Sequence, residues 1–116
     1  RMSIVDTRAD LAAAASGVVG IVGYPYRPPA PKAGDAWPLL GSMDRDPDTG
    51  QFAALWRLVV MLPQAEQAAS AWMDARLWDL VDAVSPYGFV DRMNPAVLTT
   101  GAGDQMVLEI QLRTEM

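Results

Sequence analysis

The chain contains no cysteine and no histidine among its 116 residues. Without cysteine it has no disulfide framework, no thiol nucleophile and no thiolate metal site. Without histidine it lacks the side chain that most often serves as a general base near pH 7 and most often binds zinc. The commonest hydrolytic and zinc chemistries are thereby excluded. We predict a protein that is not an enzyme, with no catalytic, cofactor-binding or metal-binding residue.

Basic residues are also few. Eight arginines and one lysine stand against 14 acidic residues, for a formal net charge of −5, and the basic residues form no run. Such a chain repels DNA phosphates rather than holding them. The longest uncharged stretch, 11–26, is too short to span a membrane as a helix, and glycine and proline interrupt it. We therefore expect neither nucleic-acid recognition nor a membrane span.

Two segments partly match the sequence patterns of known binding loops. The segment 44–50 spaces three aspartates before a glycine, as a calcium loop does, but its glycine is seventh and its twelfth position is Leu55. The Gly-Ala-Gly segment 101–103 precedes a strand rather than a helix, and Asp104 follows it where a bound anion would lie. Both segments are predicted to be turns.

The first half of the chain predicts a helix, a strand and a long proline-rich arm. Successive alanines favour a helix over about 7–16. β-Branched residues between glycines predict a short strand at 18–24. Six of the nine prolines lie within about 25–50, which indicates an extended arm or loop. Inside this arm, 36–43 are predicted to form a strand that Pro38 confines to a sheet edge.

Hydrophobic periodicity is clearest in the second half. The segments 51–62 and 105–114 alternate between apolar and polar residues, which predicts strands whose even positions face the core. A long helix is predicted at 64–85. Its apolar stripe consists of Ala69, Met73, Leu77, Leu80, Val81 and Val84. Three short elements fill the remaining interval: a strand at 87–93, a turn at Asn94-Pro95 and a strand at 96–100.

These elements describe one domain over 1–116, in the order α-β-β-β-α-β-β-β. Two helices are enough to cover one face of a mostly antiparallel sheet, so the predicted fold class is α+β. A chain of this length buries roughly 60–70% of its unfolded surface, which is sufficient for a single core.

Aromatic residues are more numerous than one thin core requires, since the chain has four tryptophans and three tyrosines. Trp78 lies off the apolar stripe of the long helix, and Trp72 flanks its edge. Tryptophan is enriched where surfaces become buried on association. The alternative is that Trp78 covers a sheet edge or the folded-back arm. The predicted interface with another subunit or partner consists of Tyr24, Tyr26, Arg27, Trp37, Trp72 and Trp78.

A succession of short motifs extends over nearly the whole chain. After the alanine-rich helix come Gly-Tyr-Pro-Tyr-Arg-Pro at 23–28 and Gly-Asp-Ala-Trp-Pro at 34–38. An aromatic strand with Trp56 then ends in Val-Val-Met-Leu-Pro at 59–63, and Phe-Val-Asp-Arg at 89–92 precedes the closing strand. In this succession the chain resembles the tail terminator (tail completion) proteins of long-tailed bacteriophages, particularly those of actinobacterial phages.

The resemblance implies a structural virion protein that forms a ring, typically a hexamer. The ring caps the tail tube, ends its polymerisation and presents a surface to the head-to-tail connector or head-closure protein. The expected location is the head-proximal end of the virion tail, after assembly in the host cytoplasm, and DNA passes through the ring without specific binding. The residues expected to face the lumen or a neighbouring subunit are Gln105, Glu109, Gln111 and Arg113.

Three other functions remain open at this point. Another neck protein, such as a head-closure adaptor, also forms rings but usually with a different fold. A small-ligand-binding or enzymatic α+β domain would be a monomer with a closed apolar pocket. A module that binds a host protein would form a heterodimer rather than a ring of identical subunits.

Overall fold

Two helices and one five-stranded sheet make up the fold, in a computed structural model that describes residues 3–115. The sheet order is β1-β2-β3-β5-β4, with β1 parallel to β2 and every other pair antiparallel. The α+β class is therefore confirmed. The elements are α1 (Ile4–Ser16), β1 (Val22–Gly23), β2 (Asp35–Arg45), β3 (Phe52–Met61), α2 (Glu66–Val84), β4 (Phe89–Thr100) and β5 (Gly103–Glu115).

The order of elements matches the prediction except after α2, where two strands replace three. β4 continues through the predicted Asn94-Pro95 turn, and Pro95 lies opposite Leu108 of β5. β4 is the last strand of the sheet and pairs only with β5. An edge strand tolerates proline because it needs ladder hydrogen bonds on one side only. The irregularity in β4 lies earlier instead, at a bulge between Val90 and Arg92.

Near the amino terminus, two boundaries differ from the predicted ones. α1 begins three residues early, because the Ser3 hydroxyl accepts a hydrogen bond from the Asp6 amide and caps the helix. β1 is only two residues long, since 18–21 form turns rather than strand. β1 pairs with the first two residues of β2, so Pro38 lies where β2 has a neighbour on one side only. As predicted, Pro38 therefore lies where its strand is unpaired on one side.

Both helices pack against the same face of the sheet, and the main core lies between these layers. The even positions of β3 and β5 face the helices, as their alternation predicts. Trp56 closes one end of this core, and its Nε1 donates to Thr114 Oγ1 at 3.0 Å. Among the described residues 3–115, neither helix is long and apolar enough to cross a membrane. The largest fully buried strand residues of this layer are Trp56, Leu58, Val60, Leu108, Ile110 and Leu112.

The opposite side of the sheet, here called the open face, carries no helix. A second and smaller apolar cluster lies at one end of it, where Trp37 packs with Val59, Met61 and Val107. Tyr24, which precedes the arm, packs against this cluster. Beyond this cluster the open face is mostly polar, although Leu55 and the exposed Phe89 lie on it opposite Arg113. The odd positions of β3 are therefore of two kinds: Val59 and Met61 belong to the apolar cluster, whereas Arg57 is polar and exposed.

The contact between α1 and β1 leaves no room for a side chain at Gly23. A Cβ atom there would collide with the carbonyl oxygen of Ala12 in α1, which is backbone and cannot move aside cheaply. We expect Gly23→Ala to lower the free energy of unfolding by about 1–3 kcal/mol, as overpacking does. Urea denaturation measures this loss. Gly101→Ala is the matched control, since nothing lies within 4 Å of a Cβ at that turn position; equal losses in both variants would contradict the close approach.

Candidate subunit interface

Arg8 of α1 holds the start of the proline-rich arm against the domain. Its guanidinium carbon lies 4.8 Å from the ring centre of Tyr26 and 5.2 Å from that of Trp56, so the cation lies between two aromatic rings. Its Nη1 donates to the carbonyl oxygens of Pro38 at 2.8 Å and Pro25 at 3.4 Å. One half-buried side chain thereby joins the helix, the arm, the edge of β2 and the core.

The arm folds back on its own chain along the rest of its length. The Tyr24 amide donates to the Ala36 carbonyl at 2.7 Å, and the Gly34 amide donates to the Met61 carbonyl at 2.9 Å. The Arg27 guanidinium lies 5.9 Å from the Trp37 ring centre. Most of the segment 25–33 is nevertheless exposed to solvent, including Tyr26 and Arg27.

Trp37 does not lie in the arm. It is the third residue of β2 and is 0% exposed, because the arm and neighbouring strands enclose it. The strand predicted at 36–43 is confirmed, since β2 extends over Asp35–Arg45. Within it Trp37 is buried, although it was predicted to lie at an interface. Trp37 and the half-buried Tyr24 therefore stabilise the fold of the single chain, and neither offers a free surface.

The Arg8 contacts predict that removal of this side chain destabilises the domain and loosens the arm. We expect Arg8→Ala to lower the free energy of unfolding by about 1–3 kcal/mol, because it removes the ring contacts and two hydrogen bonds. Hydrogen exchange of the Tyr24 backbone amide should also become faster in the Arg8→Ala variant. Arg27→Ala is the matched control and should change stability by no more than about 0.5 kcal/mol, since Arg27 is exposed. Similar losses of stability in both variants would contradict the assignment of the arm contact to Arg8.

The two tryptophans of α2 lie in different environments. Trp72 is half-buried against the main core, and the Arg76 guanidinium lies 4.6 Å from its ring centre. Arg76 Nε also donates to the Val19 carbonyl at 3.1 Å, which ties α2 to the turn after α1. Trp78 is 68% exposed and covers neither a sheet edge nor the arm. Of the two, only Trp78 presents its indole to solvent.

Acidic side chains flank Trp78 on the surface of α2. Asp74 precedes it by four residues and Asp82 follows it by four, so the three lie one above another along the helix. All three are exposed. We call Asp74, Trp78 and Asp82 the α2 stripe. It combines a large apolar ring with two negative charges on the helix side of the molecule.

The four polar residues predicted on β5 do share one face of the strand, and it is the open face. Arg113 Nε forms a salt bridge with Asp91 Oδ2 at 2.8 Å, and its guanidinium lies 5.1 Å from the ring centre of Phe89. Gln111 Nε2 donates to Glu109 Oε1 at 3.4 Å. The structure thus places Gln105, Glu109, Gln111 and Arg113 along the side of the sheet away from α2, with Val107 of the smaller apolar cluster separating Gln105 from the other three.

Two arginines on neighbouring strands extend this polar surface. The pairing of β3, β5 and β4 places Arg57, Gln111 and Arg92 directly opposite one another in a single row. Arg57 and Arg92 are both exposed. We call these three residues the open-face row. The sequence hints at Arg57 through the mixed odd positions of its strand, but only the register of the sheet reveals its alignment with Arg92.

A groove of about 570 Å³ lies at the strand ends beside the β2–β3 hairpin. Its arginines stack on aromatic rings, with the Arg45 guanidinium 4.5 Å from the ring centre of Phe52. Asp44, Asp46 and Glu115 contribute the opposite charge, so the lining is mixed. Within residues 3–115, no three or more carboxylates are grouped so as to hold a metal ion. The Asp46 carboxylate instead accepts from the Asp48 amide at 2.8 Å and closes the hairpin turn.

No family model matches the chain, and no curated protein is significantly similar to it. Two surfaces of the molecule are candidates for a binding role: the exposed indole of Trp78 on the helix side and the open-face row on the other side.

Proposed function

We propose that the chain is a structural virion protein of the tail-terminator kind. Copies of it assemble into a ring that caps the tail tube, ends its polymerisation and provides the surface that joins the tail to the head. The observation that carries the proposal is the exposure of Trp78. Its helix already buries the opposite side against the sheet, so the indole serves no purpose in the fold of one chain. Exposed tryptophan of this kind is typical of an interface centre.

The distribution of exposed aromatic residues supports a ring rather than a twofold dimer. Trp78 lies on the helix side, whereas Phe89, 65% exposed, lies on the open face. A twofold dimer uses the same patch on both subunits, but a ring joins one patch to a different patch on the next subunit. Two unlike surfaces on opposite sides of one layer suit the second arrangement.

The charge of the chain also suits a ring through which DNA travels. A net charge of −5 and scattered arginines give no extended positive surface that would hold phosphates. Passage without specific binding needs this property.

Electron microscopy tests the proposal directly. The purified protein is expected to form rings with a central channel, and the protein in a virion is expected at the junction of tail and head. Gold-labelled antibody should bind isolated tails at their head-proximal end and leave isolated heads unlabelled. Labelling of heads alone would favour a head-closure adaptor instead. A protein absent from virions and monomeric at all concentrations would contradict the proposal.

A further inference from the structure

Across the described residues, the negative charges of α2 have no cationic partner. Within residues 3–115, the one salt bridge joins Arg113 to Asp91, far from this helix. The only basic residue of α2, Arg76, is directed at the Val19 carbonyl and the Trp72 ring. The acids of α2 are Glu66, Asp74, Asp79 and Asp82, and all four are exposed. The surface around Trp78 is therefore negatively charged and lacks compensation.

The open-face row has the complementary charge. In the part of the chain that the structure describes, Arg57 and Arg92 make no salt bridge and stack on no aromatic ring. Two acids also lie on this face. Glu109 accepts a hydrogen bond from Gln111, and Asp91, which lines a groove with Arg57 and Gln111, is paired with Arg113. Phe89 adds an exposed apolar ring on the same face of β4 as Arg92.

The dimensions of the two surfaces agree. A helix rises 1.5 Å per residue, so the Cα atoms of Asp74 and Asp82 are about 12 Å apart, with Trp78 midway. Neighbouring strands lie about 4.8 Å apart, so the Cα atoms of Arg57 and Arg92 are about 10 Å apart, with Gln111 midway. Arginine side chains are long enough to accommodate the difference. Each surface thus presents two like charges of similar spacing on either side of a central residue.

We propose that these two surfaces meet between successive copies of the chain. The α2 stripe of one copy lies across the open-face row of the next, with Asp74 and Asp82 paired to Arg57 and Arg92. Trp78 then covers Gln111 and contacts Phe89, and the guanidinium planes flank its indole. The assignment deepens the proposed function, because it names the contact from which the ring is built.

The positions of the two surfaces exclude their pairing within one molecule or in a twofold dimer. The α2 stripe lies on the helix side of the sheet and the open-face row lies on the other side. One partner therefore engages only one of them, and each copy keeps a second surface for another neighbour. Head-to-tail contacts of this kind close into a ring when the rotation from one copy to the next completes a full turn, and that closure is what the proposed function requires.

Charge reversal tests the contact, with sedimentation velocity as the measurement. The helix variant combines Asp74→Arg with Asp82→Arg, and the sheet variant combines Arg57→Asp with Arg92→Asp. Each variant alone brings like charges together, so its self-association is expected to weaken by about 100-fold or more. An equimolar mixture of the two should reassemble into large particles containing equal amounts of both, because every contact in an alternating ring is again between opposite charges.

Two controls separate this result from misfolding and from a general charge effect. Circular dichroism melts establish that each variant is folded; if one is not, Asp74→Ala with Asp82→Ala, or Arg57→Ala with Arg92→Ala, replaces it and is expected to weaken assembly. The variant with Glu66→Arg and Asp79→Arg makes the same change in net charge on α2 but leaves the α2 stripe intact. It should assemble like the unaltered protein.

The outcomes distinguish this contact from the proposed function. Rings that persist in both variants overturn the contact and leave the proposed function standing. Folded variants that fail alone and also fail when mixed overturn the pairing of these two surfaces. A sheet variant that still assembles but no longer retains duplex DNA, which the unaltered protein does retain, assigns the arginines to nucleic acid instead. An unaltered protein that never assembles removes both proposals.

Discussion

An aspartate in place of Leu58 is expected to leave the chain unfolded. Leu58 is 0% exposed in β3, the central strand, and lies between Pro38 of β2 and Ile110 of β5. Leu58 packs within the main apolar core, and Arg8 is already held by the Pro38 carbonyl and the Trp56 ring. The substitution therefore places a charge among apolar side chains and removes a core side chain. The cost is comparable to the whole stability of a small domain, about 5–15 kcal/mol. Far-ultraviolet circular dichroism and urea denaturation are expected to give no cooperative transition.

The neighbouring position provides the matched control. Arg57→Asp makes a similar chemical change one residue earlier, but Arg57 is on the open face and exposed. We expect it to remain folded, with its free energy of unfolding within about 0.5 kcal/mol of the unaltered protein. A folded Leu58→Asp together with an unfolded Arg57→Asp would mean that the faces of β3 are reversed.

Trp78→Ala is expected to abolish ring assembly while leaving the fold intact. The exposed indole contributes little to the stability of a single chain, so the free energy of unfolding should change by less than about 0.5 kcal/mol. At the centre of an interface, loss of a tryptophan weakens association by at least about 2 kcal/mol. Sedimentation velocity and thermal melting of the same samples measure the two effects separately.

Trp72→Ala provides the opposite result on the same helix. Trp72 packs against the main core and the Arg76 guanidinium, so its removal should lower the free energy of unfolding by about 2–4 kcal/mol. Below its melting temperature, this variant should still assemble. A Trp78→Ala protein that assembles normally yet melts at a lower temperature would place Trp78 in the fold rather than in the interface.

Much of the fold can be predicted from local patterns in the sequence. β3 and β5 alternate strictly because one face of each is buried, and their even positions do face the helices. β4 was harder to predict, since Asn94-Pro95 is typical of a turn and only its place at the sheet edge allows the strand to continue. The strand around Trp37 was predicted to within one residue of its start, but the burial of Trp37 was not, because its cluster joins residues that are distant in the sequence.

The candidate interface could be predicted only in part. Trp78 is recognisable because it departs from the apolar stripe of its helix, a property of the local sequence. The open-face row is not, because Arg57 and Arg92 become neighbours through pairing across three strands. The contacts of Arg8 could not be predicted from local sequence either, since Pro25 and Pro38 lie 17 and 30 positions away from it. Long-range register determines these arrangements, and it leaves no periodic signal.

The outer edge of β4 limits how copies of the chain aggregate. A twelve-residue strand with one free side would ordinarily be a template for further strands, as in amyloid. Here the bulge at Asp91 disrupts the regular spacing of backbone groups, and Pro95 removes one donor from the strand. The edge of β4 is therefore a poor template for fibril growth, and the contact proposed between copies of the chain depends on side chains instead.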